Sequence, residues 1–278
     1  FGNNKLALKI NGVGVILNII LDPVCIYVLN FGVIGAGVST LIANVIMFIL
    51  FRINTNGILN YRYDLKVDFE KIKEIIRLGF PMAFQRILFT IINIILAKII
   101  AMFGSEAIAA QKIGVQIESI AYMIIGGLNG AVASFTGQNF GAGKSNRIKE
   151  GYRSALVVGI SYAIVMAGVF LLLNRPLIRL FISDESTILI ASAYLKAVAF
   201  SQVFSAIEMI SNGMFTGIGK PNIPATISIV FTSLRIPLAL VLIKPFGISG
   251  IWISICISSI LKGICSYFIY ETKIRKIL

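Results

Sequence analysis

The chain has 278 residues, 57% of them hydrophobic and 13% charged, with a mean hydropathy of +0.91. Soluble globular domains run at about 45–50% apolar and about 25% charged, so the composition excludes an ordinary soluble domain and predicts an all-α polytopic membrane protein. The absence of histidine excludes imidazole catalysis and His-ligated metals, and the net charge of +13 is gathered in short segments between long apolar runs, the pattern of cytoplasmic loops rather than the basic stripe of a nucleic-acid-binding fold.

Eight spanning helices are predicted, roughly 6–29, 35–52, 78–102, 107–139, 154–173, 187–213, 222–243 and 248–269, against the requirement for about 20 apolar residues per span. Asn30-Phe31-Gly32 and Gly35 mark the turn between the first two. Asp22 lies inside the first span, and an ionisable group in a membrane is a functional hypothesis by default. Asn18, at i−4, shares its helix face. Pro23 has no N–H and leaves the Ile19 carbonyl without its helical partner. Thr40, at comparable depth on the second span, adds a hydroxyl. Oxygen ligands of this kind suit a hard cation. The competing reading is an Asp-Pro step that only breaks the helix.

The long polar connection, 52–77, carries Arg52, Arg62, Lys66, Lys71, Lys73 and Arg77. Apolar residues at 69, 72, 75 and 76 predict an amphipathic helix at the interface; a solvated linker is the alternative. Arg and Lys also cluster in 144–153 and 273–276. The three basic segments alternate correctly if all face the cytoplasm, which places both ends of the chain on that side.

Further on, Glu118 and Arg235 lie at matching depths, as do Arg86 and Glu208. Depth matching predicts the pairs Glu118–Arg235 and Arg86–Glu208. Each is either a structural ion pair or a group facing a central cavity that binds a cationic compound or a proton. Gln85 and Gln111 are candidate polar cavity contacts. Lys98 and Lys112 have no evident acidic partner and either snorkel outward or line water. Gly141-Ala-Gly-Lys144-Ser145 imitates the end of a P-loop, but Gln138 stands where the motif needs glycine. The segment reads as a tight turn, with no nucleotide site. Cys25, Cys256 and Cys265 lie in apolar stretches without a CxxC pair and read as buried small hydrophobes.

Residues 31–39 (FGVIGAGVS) and 246–254 (FGISGIWIS) lie 215 positions apart and share Phe31/Phe246, Gly32/Gly247, Gly35/Gly250 and Ser39/Ser254. Transporters are often built from such repeats. Asn18, Asp22 and Thr40 correspond to Ser233, Pro237 and Ile255, so ion-coupling chemistry is expected in the first half only. A complete first half would also need four more spans upstream of Phe1.

Taken together, Asn18-Ile-Ile-Leu-Asp22-Pro23, Phe31-Gly-Val-Ile-Gly35-Ala-Gly, Gly79-Phe-Pro81, Gly104-Ser-Glu-Ala-Ile-Ala-Ala110-Gln, Gly137-Gln-Asn-Phe-Gly-Ala-Gly143, Gly217-Ile-Gly-Lys-Pro221 and Arg235-Ile-Pro237 resemble the multidrug and toxic compound extrusion (MATE) transporters, especially bacterial members. The likeness covers essentially the whole chain. It implies a two-lobed, twelve-helix, pseudo-twofold antiporter of the cytoplasmic membrane. This chain would supply helices five and six of the N-terminal lobe (1–53), a cytoplasmic linker (54–77) and the C-terminal lobe, helices seven to twelve (78–278). In the family, an Asp and an Asn on helix five and a Thr on helix six take part in a cation or proton site, and Asp22, Asn18 and Thr40 match them. The acidic residue that some members carry on helix seven is replaced here by the Phe89-Thr90 neighbourhood.

The expected function is efflux of organic, mostly cationic, compounds in exchange for Na⁺ or H⁺. No enzyme activity, cofactor or metal is expected beyond a possible Na⁺ at Asp22. Substrate-cavity candidates are Glu118, Glu208, Gln85, Gln111 and Arg235. The alternatives are a flippase for a lipid-linked sugar, which Arg86, Lys98, Lys112 and Arg235 keep open, and a truncated chain without activity.

Overall fold

A computed structural model describes residues 4–54 and 68–278. Among these described residues are eight helices long and apolar enough to cross a membrane, in the order expected. Most of the predicted linker, 55–67, lies outside the described residues. Contacts divide the chain into two units, Phe1–Asp68 and Phe69–Leu278.

The first unit is a helical hairpin. Helix α1 (Asn4–Pro23) runs on into one π turn, Val24–Val28, and α2 (Gly32–Asn54) follows. Pro23 explains the change of winding. It offers no N–H to the Ile19 carbonyl, and beyond it the pairing widens to Leu29 N–H on the Val24 carbonyl at 2.9 Å. Such π turns are rare and frequently sit at functional sites.

The second unit begins with α3 (Phe69–Ala101), in which the amphipathic stretch 69–77 runs without interruption into a span. It continues with α4 (Ser105–Gly141), α5 (Ser145–Leu172), the short α6 (Asn174–Arg179), α7 (Glu185–Gly217), α8 (Asn222–Ser233), α9 (Arg235–Phe246) and α10 (Ser249–Ile269). The turn between α4 and α5 is the GAGKS segment, with Gly143 at φ +68. It caps α4, with the Lys144 N–H on the Asn139 carbonyl at 2.9 Å. Asp184 caps α7. Its carboxylate accepts from Ser186 Oγ at 2.5 Å and from the Thr187 N–H at 2.8 Å, and these bonds hold it below the usual aspartate range.

Helix α7 is the axis of this unit and its most buried span. Glycines let neighbouring backbones approach it, as small residues do in membrane bundles. A Cβ on Gly217 would stand 2.6 Å from the Ala133 carbonyl oxygen of α4. A Cβ on Gly263 of α10 would strike the Phe204 backbone of α7. Trp252, fully buried, meets Tyr194 edge-on at 5.0 Å between ring centroids.

Helices α8 and α9 together make one span that breaks at Leu234. Pro237 again explains the break, since the Ser233 carbonyl finds no N–H at that position. Cys25 and Cys256 are buried and Cys265 is half-buried, all as free thiols.

The internal repeat is visible in the backbone. Gly32 and Gly247 share φ +54, a left-handed conformation that favours glycine. Gly35 abuts the Cys25 backbone, where a Cβ would stand 2.7 Å from the carbonyl oxygen, and Gly250 abuts the Leu242 carbonyl in the same way. Ser39 and Ser254 each reach the carbonyl three residues back, at 3.0 and 2.7 Å.

Candidate functional site

Two polar constellations lie inside the spans, one in each unit. In the hairpin, Asp22 is half-buried beside the π turn. The hydroxyl of Ser39 donates to its Oδ1. One turn earlier, Asn18 Nδ2 donates to Thr40 Oγ1 at 3.2 Å, and Thr40 donates onward to the Ala36 carbonyl at 2.8 Å. Asn18, Asp22 and Thr40 are therefore together as expected, with one correction. Ser39, which the sequence reading passed over, is the direct partner of the carboxylate, while Thr40 belongs to Asn18. The physical reason is register. Residues 39 and 40 point about 100° apart on a helix, so only one of them faces Asp22. Asp22 Oδ2 and Asn18 Oδ1 have no hydrogen-bond partner among the described residues, and no Lys or Arg there pairs with Asp22. One carboxylate with amide and hydroxyl oxygens around it is a set that a hard monovalent cation or a proton can use.

The second constellation lines a cavity of about 970 Å³ within the six-span unit. Its walls include all five of the predicted cavity residues, Gln85, Gln111, Glu118, Glu208 and Arg235. The two depth-matched ion pairs are not formed. Glu208 pairs with Lys262 at 3.3 Å, and Arg86 lines the same cavity without an ion pair among the described residues. Glu118 accepts the hydroxyl of Tyr194. Tyr122 lies beside the same carboxylate, and its 3.3 Å approach to Ser205 is long for an O–H···O bond. Arg235 turns to α10, where Nε donates to Ser258 Oγ at 3.0 Å and Nη2 to Ser259 Oγ at 3.3 Å.

Matching depth fixes a residue's height in the bilayer but not the direction in which its helix faces, and direction chose the partners. Lys262 was missed because its segment reads as the end of a plain apolar span. Its signal is a lone lysine flanked by Ser258, Ser259, Gly263 and Ser266, a small polar face on one helix side. Lys112 lines the cavity, while Lys98 is exposed near the end of α3. Gln85 Nε2 donates to Ser228 Oγ at 2.8 Å and ties α3 to α8.

The sequence profile of the MatE family matches residues 81–241, more than half of the chain and most of the cavity wall. The chain belongs to the MatE family. Among curated MatE relatives, it is 29% identical over 280 residues to the probable multidrug resistance protein NorM of Thermotoga maritima, covering 94% of this chain and 59% of that protein. It is 27% identical over 258 residues to the multidrug export protein MepA of Staphylococcus aureus, covering 91% of this chain and 57% of MepA. The chain thus spans under three fifths of the length of these relatives.

Solved MATE structures share its fold. A mutant of the Vibrio cholerae MATE transporter VcmN superposes with a TM-score of 0.90 at 24% identity, over 99% of this chain and 64% of the other. A MOP superfamily transporter from Pyrococcus furiosus, described as having a binding pocket of reversed polarity that suggests a different function, gives 0.84 at 23% identity, over 94% of this chain and 61% of the other. The eight MatE helices here thus belong to the two-lobed, twelve-helix transporter fold.

Proposed function

We propose that the full-length protein exports organic compounds across the cytoplasmic membrane by antiport against Na⁺ or H⁺. The observation that carries this reading is the cluster of Asp22, Asn18, Ser39 and Thr40 beside the π turn. It places a carboxyl group inside a span with no Lys or Arg paired to it among the described residues, and the oxygens left without a partner there can take an ion. The names of the curated relatives support multidrug cargo, and the polar cavity of the six-span unit supports a binding site for it. Export follows if the coupling ion and the cargo each prefer a different arrangement of the transporter, because a ligand shifts a conformational equilibrium only by its differential affinity. The basic segments 52–77, 144–153 and 273–276 support cytoplasmic placement of both ends of this chain.

Replacing Asp22 with Asn tests the coupling. In the full-length protein, Asp22→Asn is expected to abolish ion-driven dye export from proteoliposomes, with membrane expression unchanged. Export at the wild-type rate in that variant would remove the ion site from the reading.

A second reading, a flippase for a lipid carrying a phosphate-linked sugar, is favoured by one observation. The cavity has four cationic side chains, Arg86, Lys112, Arg235 and Lys262, against two carboxylates, Glu118 and Glu208. The reversed pocket polarity of the Pyrococcus furiosus transporter adds to it. Growth protection against ethidium-like dyes argues for export and against this second reading.

A further inference from the structure

Among the described residues, Arg235 has no carboxylate in contact with it. Glu208 is held by Lys262 at 3.3 Å, and Glu118 is held by the Tyr194 hydroxyl. Arg235 is only 8% exposed, and no carboxylate among the described residues lies within ion-pair distance of it. Glu118 acts on it only through space, and a buried guanidinium with no anion in contact is costly, because water no longer solvates it.

The side chain is nevertheless fixed. Ser258 gives its own proton to the Phe231 carbonyl at 2.8 Å, so its oxygen is left to accept from Arg235 Nε. Ser259 accepts from Nη2. Five N–H groups radiate from a guanidinium. Two of them are used here, and the other three, at the Nη end, have no partner among the described residues. Arg235 itself lines the cavity. That is a preset fork, and planar forks of this kind bind carboxylate and phosphate through two parallel hydrogen bonds. Arg86 and Lys112, also unpaired among the described residues, add positive potential to the same space.

We infer that this cavity recognises an anionic group, a carboxylate or a phosphate, on an amphiphilic substrate, with Arg235 as its fork. This deepens the transport reading and rests on it for the movement of the substrate, though not for its binding. It also shifts the expected cargo. Compounds that carry an anionic group, including zwitterions, are preferred over compounds that are purely cationic. The anionic group has two sources, a soluble organic acid or a lipid phosphate.

The test compares a dansyl-labelled medium-chain fatty acid with its methyl ester, which removes only the charge. Each is titrated by dansyl fluorescence against the purified full-length protein. The acid is expected to bind at least tenfold more tightly than the ester. Arg235→Gln should bring that ratio close to one, and Arg235→Lys should leave an intermediate ratio, since the charge stays while the fork is lost. Equal affinities in the wild-type protein overturn the inference, as does a ratio that survives in Arg235→Gln. If Arg235→Gln fails to fold, the wild-type ratio still decides.

A short-chain polyprenyl phosphate then separates the sources. Its displacement of the bound acid, without ion-driven export of the acid, assigns the site to a lipid phosphate. Export of the acid without such displacement assigns it to a soluble organic anion. Both outcomes keep the anion subsite. Export of acid and ester alike with equal affinity leaves the transport reading standing and removes the subsite. Loss of export for both, with the binding ratio intact, does the reverse.

Discussion

The α1/α2 hairpin and the α9/α10 hairpin are two versions of one motif with opposite electrostatics. Both turn on a left-handed glycine at φ +54, both press a second glycine onto the facing helix, and both bend at a proline. In the first, the interior carries Asp22 with Asn18, Ser39 and Thr40. In the second, Arg235 and Lys262 stand where the first has Ile20 and Met47, and Ile255 replaces Thr40. Backbone geometry and charge have therefore been set separately. The residues that build the turn are shared because only glycine tolerates that conformation and that closeness. The residues one turn deeper touch no shared constraint, so one hairpin offers oxygens and the other offers N–H donors.

Substitutions that exchange features between the hairpins test this division. The largest effect is the loss of ion coupling expected for Asp22→Asn, which has no counterpart at Pro237. Next is Lys262→Met, which installs the residue found at the equivalent position of the first hairpin. It strands Glu208 inside the six-span unit. Breaking one half of a buried pair costs about 3–5 kcal/mol, so a fall in thermal unfolding temperature in detergent is expected. The double change Glu208→Gln with Lys262→Met should recover most of it. A single variant as stable as wild type would mean that the pair is not a structural unit.

Gly35→Val and Gly250→Val should each destabilise by about 1–3 kcal/mol, the usual cost of overpacking, because each places a side chain against a facing backbone. Similar losses at both sites would support equivalent architecture, whereas a neutral result at one would break the equivalence. The smallest effect separates Ser39→Ala from Ser254→Ala. Each loses one hydrogen bond worth about 1 kcal/mol, that of Ser39 to the Asp22 carboxylate and that of Ser254 to the helix backbone. Only Ser39→Ala is expected to weaken the affinity for the coupling ion, read as a shift in the ion concentration that half-drives export. Equal shifts in both variants would detach Ser39 from the site.

The spans, their number and the turn glycines were legible in the sequence, because a bilayer demands a run of apolar residues wherever a helix crosses it. The Asn18–Asp22 pair was legible because i, i+4 spacing on a helix fixes a shared face. Thr40 was legible across the short turn to the next helix, but the partners of Glu118, Glu208 and Arg235 on other helices were not. Glu208 took Lys262 rather than Arg86, and Arg235 took Ser258 and Ser259 rather than Glu118.

The sequence by itself determined the class of molecule, the repeat and the position of the ionisable groups along each helix, all of which follow from local periodicity and composition. The tertiary structure alone decided which of those groups meet. That choice depends on how each helix is rotated about its own axis, and rotation is set by glycine contacts such as Gly217 on Ala133, between residues far apart in the chain.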